Sequence, residues 1–470
     1  MFRTARRALA LFIPFLLIPS ALAAPPSLRV EPYAFRLADG SDLAAERGTF
    51  TVPEDRRDPR SRRIEIGFVR FKSTNPNPGA PIVYLAGGPG GSGVATARGP
   101  RQPIFLALRQ VADVIALDQR GIGLSNHIPP CTAKAKLDPA RVLNEATLTA
   151  YYRETLSECV AGWRSAGVAV NGYTTVQNAE DLEDLRRALG VPKIDLWGIS
   201  YGTHLAMAMM RLHPGSVGRA ALASAEGMNQ TVKLPLHVDA AFERMDKATG
   251  KPLTALMRRV NAKFDSAPRS FALANGASFR ADSFPLRMMA GFVAKNPDGI
   301  GQLLQAYGAL DAGQNQAIAP LVWSYFYKEP LRMSGMPELT DLASGISSAR
   351  LALVRRQAAT ALSGMAINFP MPQISGVVPG LDLGDAFRRE IRSNHKVLLI
   401  KGDLDVRTPL EEQAEATAGL RNLQHILVRN GGHDLFEAHP DVPSLLVAFF
   451  SGRPVTTREL VLPPPVLSAR

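Results

Sequence analysis

Gly198-Ile199-Ser200-Tyr201-Gly202 constrains this 470-residue chain more than any other stretch. The run Lys193-Ile194-Asp195-Leu196-Trp197 before it reads as a short buried strand, and residues 203–210 after it read as a helix. A strand that turns into a helix over so few residues brings backbone against backbone, so the flanking positions must be small. The residue at the crest, Ser200, is then held at the end of a sheet with its hydroxyl exposed. The pentapeptide alone is a weak signal. Its setting, strand before and helix after, makes Ser200 a candidate nucleophile.

The remaining pattern decides what kind of sheet this is. Residues 29–72 look strand-like, broken by a charged turn at 53–63, and two short buried strands follow at 81–85 and 113–117 with a helical stretch around 104–110 between them. An amphipathic helix is predicted over 178–189, stopped by Gly190 and Pro192. The strand before Ser200, its helix and a further strand at 219–224 come next. Alternating strands and helices predict an α/β fold, a mostly parallel sheet covered on both faces. Over 227–394 the pattern changes to Met-, Leu- and Ala-faced helices between Gly and Pro breaks. Buried strands then return at 395–401 and 424–428. An insertion of that size between two sheet strands reads as a helical cap over the strand ends. The expected organisation is a leader at 1–23, a core at 24–226, the cap at 227–394, the rest of the core at 395–452 and an irregular tail at 453–470.

The leader is read from Arg3, Arg6 and Arg7, an apolar run at 8–18 and the small-x-small pattern Ala21-Leu22-Ala23, which places the mature start at Ala24. The apolar run is short for a bilayer span, and Pro14 and Pro19 interrupt it, which speaks against an uncleaved anchor. No later segment is apolar for long enough to cross a membrane. The sequence therefore predicts an exported protein, periplasmic or secreted. In an oxidising compartment the two cysteines, Cys131 and Cys159, favour a disulfide, with two free buried thiols as the alternative; neither has the spacing of a metal site. The net charge is +12, of which the leader arginines supply three. The other basic residues occur as scattered pairs, several beside acids, with no aromatic-interleaved stripe, so nucleic acid is not an expected partner.

A serine hydroxyl needs a base within hydrogen-bond reach, and the base needs an acid to fix its tautomer. Of the eight histidines, His433 stands in Asn430-Gly431-Gly432-His433-Asp434, a glycine-rich loop after the last predicted core strand. His395, His425 and His439 read as structural. His204 lies one helical turn beyond Ser200 and is expected to pack or hydrogen-bond locally. For the acid, Gly402-Asp403-Leu404-Asp405-Val406-Arg407-Thr408-Pro409 offers Asp405, with Asp403 as the rival nearer the strand end. A loop of Ala86-Gly87-Gly88-Pro89-Gly90-Gly91-Ser92-Gly93 after a strand can aim backbone N–H groups into a cavity. Gly88, together with the N–H of Tyr201, is the expected oxyanion hole. The loop lacks the spacing and the Lys-Ser/Thr of a phosphate cradle, so no nucleotide is expected.

In these residues the chain resembles the α/β-hydrolase serine aminopeptidases of the proline iminopeptidase and tripeptidyl aminopeptidase kind. The resemblance rests on Gly87–Gly91, on Asp118-Gln119-Arg120-Gly121-Ile122-Gly123-Leu124-Ser125, on the elbow, and on the loops of Asp405 and His433. Val52-Pro53-Glu54-Asp55-Arg56, with Pro59 and Arg63, is similar to the opening of the secreted tripeptidyl branch. Ala86 and Tyr201 depart from the histidine and tryptophan that proline iminopeptidases usually carry there, which points toward the tripeptidyl-like branch. The resemblance also supports Asp405 over Asp403. It implies a peptide substrate attacked at a free N-terminus, without metal or organic cofactor, and leaves the oligomeric state open. An exopeptidase must neutralise the substrate ammonium, so Glu226, or else Asp239 or Glu243, is expected as a carboxylate anchor. A carboxylesterase using the same triad is the second expectation, and a catalytically silent binding protein on the same fold the third.

Overall fold

The computed structural model describes residues 27–467; the leader and its cleavage point after Ala23 lie outside the described residues. Strands β1 (Leu28–Arg36), β2 (Asp42–Pro53) and β3 (Arg63–Phe71) form an antiparallel meander. They are followed by β4 (Ile82–Leu85), β5 (Val114–Leu117), the two-residue β6 (Cys131–Thr132), β7 (Ile194–Ile199) and β8 (Val217–Ala223). The insertion holds β9 (Arg269–Ala272), β10 (Ser278–Ala281) and β11 (Arg332–Met333), and the chain closes with β12 (Ser393–Gly402), β13 (Leu420–Arg429) and β14 (Glu459–Val461).

The main sheet has ten strands in the order β1-β2-β3-β5-β4-β7-β8-β12-β13-β14. Pairing is antiparallel from β1 to β5 and parallel from β5 to β14. Every residue of β4, β5 and β7 is buried, as parallel strands covered by helices on both faces must be. From β4 the chain steps one way to β5 and then back past β4 to β7. The crevice at that reversal, beyond the carboxyl ends of the strands, is where such sheets bind ligands.

Local sequence explains the element ends. The helix predicted over 178–189 spans Thr175–Ala188, because the Thr174 hydroxyl caps it by accepting from the Gln177 N–H. Pro235, at the first position of the helix Pro235–Thr249, and Gly250, in the left-handed conformation just past it, delimit that helix. Cys131 and Cys159 are joined in a disulfide, their Cα atoms 5.7 Å apart.

Two expectations need correction. The segment 227–394 is not purely helical: β9 and β10 form an antiparallel hairpin whose Phe271 and Phe279 rings stack 4.8 Å apart. Nor is the tail wholly irregular. Residues of β14 pair in parallel with β13 and extend the main sheet, with Leu460 buried, before the run of prolines ends the pairing.

Candidate active site

Ser200 follows β7 and caps the N-terminus of the helix Tyr201–Leu212, with φ 55° and ψ −126°. The left-handed value is rare for a residue with a side chain and marks stored strain at the turn. Both flanking glycines are required by close approach. A Cβ on Gly198 would lie 2.7 Å from the Gly202 carbonyl oxygen, and one on Gly202 would lie 2.0 Å from that of Leu85. Residues 201–210 of the helix are buried all round, so the elbow rests on a rigid central element.

Sheet register brings the other loops to the same edge. Ile199 stands opposite Ala223, Ala223 opposite Ile400, and Ile400 opposite Ile426. The loops leaving β7, β8, β12 and β13 therefore start at one level. The Ser200 N–H donates to the Ala223 carbonyl at 3.1 Å, and the next residue, Ser224, donates its hydroxyl to the His433 carbonyl at 2.7 Å. A Cβ on Gly402 would lie 2.4 Å from the carbonyl oxygens of both Gly431 and Gly432, so the loops of Asp405 and His433 touch through backbone.

The Nδ1 of His433 lies 2.9 Å from Oδ2 of Asp405 and 3.1 Å from Oδ1. Asp405 is fully buried and also accepts from the Arg407 N–H at 2.7 Å, the Thr408 N–H at 2.9 Å and the Thr408 hydroxyl at 2.5 Å. Burial alone would raise its pKa, but the His433 ring and the Thr408 donors outweigh it and hold the carboxyl below its ordinary value. An acceptor of this kind keeps the proton on Nδ1 and leaves Nε2 free to accept. Nε2 has no hydrogen-bond partner among the described residues.

Asp403, the rival acid, faces elsewhere: its nearest cation is Arg429 at 3.8 Å, and its carbonyl accepts from Arg244. His204 is buried and bonded to the Gly227 carbonyl at 2.9 Å and the Ser344 hydroxyl at 3.1 Å; desolvation lowers its pKa, so it stays a neutral packing residue.

The glycine loop closes over the serine. A Cβ on Gly87 would meet the Ser200 Cβ at 3.0 Å, and the Gly88 N–H has no acceptor among the described residues. Tyr201 supplies the first N–H of its helix, one of those a helix leaves without an internal partner and the positive end of its dipole. Asp118 pins the loop by accepting from the Ser92 hydroxyl at 2.6 Å, the Val94 N–H at 3.1 Å and the Leu124 N–H at 2.9 Å, while Gln119 donates to the Ala86 carbonyl at 3.1 Å. Arg120, fully buried, clamps Asp181 through two 2.7 Å bonds and reaches the Glu54 carbonyl at 2.5 Å, tying the opening segment to the helix Thr175–Ala188.

Gly88 and Ser200 line a cavity of about 190 Å³ with Glu226, Lys233, Asp341 and Arg407. Glu226, the expected amine anchor, lines this cavity and is paired with the Lys233 ammonium. Asp239 is consumed inside the insertion, accepting from the Leu362 N–H at 2.6 Å and from Ser363, and Glu243 is exposed away from the cavity. Lys233, Asp341 and Arg407 were not legible as site residues, nor was Asn296. Its side-chain oxygen accepts from the His433 N–H at 3.0 Å and the Asp434 N–H at 3.1 Å. Leu404 and Val406, on either side of Asp405, pack into the insertion's apolar core. The inserted segment therefore helps to fix both loops.

Tripeptidyl aminopeptidase of Streptomyces lividans is 31% identical over 212 residues, 42% of this chain and 38% of that one. Serine protease Hip1 of Mycobacterium tuberculosis is 29% identical over 178 residues, 36% of this chain and 34% of its own length. The chain thus matches well under half the length of these curated relatives. Among solved structures, an epoxide hydrolase from an endophytic Streptomyces is 17% identical and covers 88% of this chain and 99% of its own, with a TM-score of 0.39. The family model described as alpha/beta hydrolase fold matches residues 80–440, a span that takes in the glycine loop, the elbow and the loops of Asp405 and His433. With a serine elbow at the switch point of a largely parallel sheet and that match over most of its length, the chain belongs to the α/β-hydrolase fold family.

Proposed function

We propose that this chain is an exported serine hydrolase, an aminopeptidase that releases residues or short peptides from free N-termini through an acyl-enzyme. The observation that carries the reading is the His433–Asp405 pair, at 2.9 Å, held beside the strained turn of Ser200 at one sheet edge. His433 takes the Ser200 proton on Nε2 as the hydroxyl oxygen attacks the scissile carbonyl. Asp405 stabilises the imidazolium and keeps its orientation. The N–H groups of Gly88 and Tyr201 receive the oxyanion. The proton passes to the leaving amine as the C–N bond breaks, and a water activated by the same imidazole then releases the acyl group.

The names of the curated relatives, a tripeptidyl aminopeptidase and a serine protease, support the peptidase reading over a carboxylesterase. Two carboxylates line the cavity, Glu226 paired with Lys233 and Asp341 outside any ion pair among the described residues, and Asp341 gives an ammonium somewhere to bind. The Cys131–Cys159 disulfide agrees with the oxidising compartment that the leader predicts. Aminoacyl and tripeptidyl p-nitroanilides, each with a free and an acetylated N-terminus, assayed beside p-nitrophenyl butyrate, test the reading. The expected result is turnover of the free anilides, lost on acetylation and lost in Ser200→Ala. Turnover of the ester alone would replace the peptidase with the esterase.

A further inference from the structure

The charges around the cavity are not all paired. The Glu226–Lys233 ion pair neutralises itself at the wall. Asp341, on the helix Met336–Ser344, and Arg407, two residues beyond Asp405, remain. Neither forms an ion pair among the described residues, and the Asp341 carboxylate accepts no hydrogen bond there. The Arg407 guanidinium makes one long contact, 3.4 Å to the Ile367 carbonyl, and lies 5.0 Å from the centre of the Phe292 ring.

Both side chains are half-buried at the cavity wall, and charges partly withdrawn from water gain from partners. Burial, reinforced by Glu226, pushes the Asp341 carboxyl well above its ordinary range. Burial pulls the Arg407 guanidinium down, against the influence of Asp405, Glu226 and Asp341. The two groups are close enough to influence one another yet do not meet. Both conflicts are resolved by one ligand that carries an ammonium and a carboxylate. A cavity of about 190 Å³ is smaller than the ~300–1,000 Å³ of drug-sized sites, so it suits a single small group such as the terminal residue of a substrate.

We propose that the cavity beside Ser200 takes a zwitterionic acyl group, with its ammonium on Asp341 and its carboxylate on Arg407. This rests on the aminopeptidase reading and narrows its substrate class. Two kinds of acyl group share the chemistry. An N-terminal α-glutamyl residue offers its side-chain carboxylate to Arg407, and a γ-glutamyl residue offers its α-carboxylate. In both, the amide C–N bond breaks, the C–O bond to Ser200 forms, and the leaving amine takes the proton from His433.

The test compares α-glutamyl-, γ-glutamyl-, leucyl- and alanyl-p-nitroanilide on the wild-type full-length protein, Arg407→Gln, Arg407→Lys and Asp341→Asn. The wild type is expected to favour at least one glutamyl anilide over the leucyl and alanyl anilides by tenfold or more in kcat/KM. The favoured isomer identifies the source of the carboxylate. Arg407→Gln is expected to lower the glutamyl-to-leucyl ratio at least tenfold, and Arg407→Lys to restore part of it. Asp341→Asn is expected to raise KM for every free-amine substrate. A wild-type preference for leucyl or alanyl anilide, no turnover of either glutamyl anilide, or a parallel loss on all substrates in Arg407→Gln would overturn the proposal. The wild-type panel decides the matter even where a variant fails to fold. Labelling of Ser200 by a fluorophosphonate separates the two failures: a labelled enzyme that prefers neutral residues defeats only this inference, whereas an unlabelled one defeats the hydrolase reading beneath it.

Discussion

Replacing Asp405 by Asn separates the acid's chemical role from its structural one. The amide oxygen can keep the two backbone donors that Asp405 now holds, the N–H of Arg407 at 2.7 Å and of Thr408 at 2.9 Å. The amide nitrogen then faces His433 Nδ1 and the Thr408 hydroxyl, now 2.9 and 2.5 Å from Oδ2. The Thr408 hydroxyl can rotate from donor to acceptor, so the fold loses charge assistance and little geometry, a cost of about 1–2 kcal/mol. The imidazole has no such freedom. An amide N–H pointing at Nδ1 makes Nδ1 an acceptor and moves the ring proton to Nε2, which can then no longer take the serine proton. Where the same substitution has this effect on a Ser-His-Asp triad, kcat falls about 10⁴-fold, equivalent to about 5.4 kcal/mol of transition-state stabilisation. The assay is kcat on the best free-amine anilide alongside a thermal melt, with Ser200→Ala as the floor. A fall of less than tenfold in a variant that melts near the wild type would refute the tautomer argument.

Asn296→Ala removes the side-chain acceptor of the His433 and Asp434 N–H groups, while the Lys295 carbonyl still holds the His433 N–H at 2.8 Å. The loosened loop should lower kcat by roughly ten- to a hundredfold with little change in KM, read from steady-state kinetics. Glu54 is fully buried and accepts from Arg62 at 2.7 Å, Tyr173 at 2.6 Å and the Ala169 N–H at 2.9 Å. Burial raises its pKa, but those donors bring it below the ordinary 4.5. Its stabilisation is therefore complete above about pH 4.5 and lost as pH falls through the lower folded-state value. Glu54→Gln should melt lower than wild type at pH 7 and lose less stability on acidification to pH 3, measured by thermal melts across that range. The Cys131–Cys159 bridge closes a 28-residue step, for which chain entropy predicts a loss of about 3.5 kcal/mol in Cys131→Ser/Cys159→Ser, checked by urea unfolding with and without reductant.

Much of the candidate site was legible because its residues sit at places where backbone geometry dictates composition. Gly198 and Gly202 are small because the Gly202 and Leu85 carbonyls leave no space, and Gly402 is small because two loops touch there. Such constraints appear in the sequence as punctuation around Ser200, Asp405 and His433. Lys233, Asp341, Arg407 and Asn296 carry no such mark. They come from loops and an inserted helix, where periodicity indicates burial without saying which buried face meets the cavity. The limited reading of Glu226 has the same origin: position after β8 predicts its place, but only tertiary packing reveals Lys233 against it. Short strands were missed for a different reason. Pairs such as β9 and β10 offer four residues each, too few for alternation to stand out, and β14 runs straight into prolines.

The proposed chemistry requires Ser200 to be the nucleophile of a working relay. Incubation with diisopropyl fluorophosphate, followed by proteolysis and mass mapping, tests this without any assumption about substrate. One covalent adduct on the peptide that carries Ser200 is predicted, absent in Ser200→Ala and formed far more slowly in His433→Ala. A folded wild-type protein that takes no adduct, or carries it on another residue, would contradict the account.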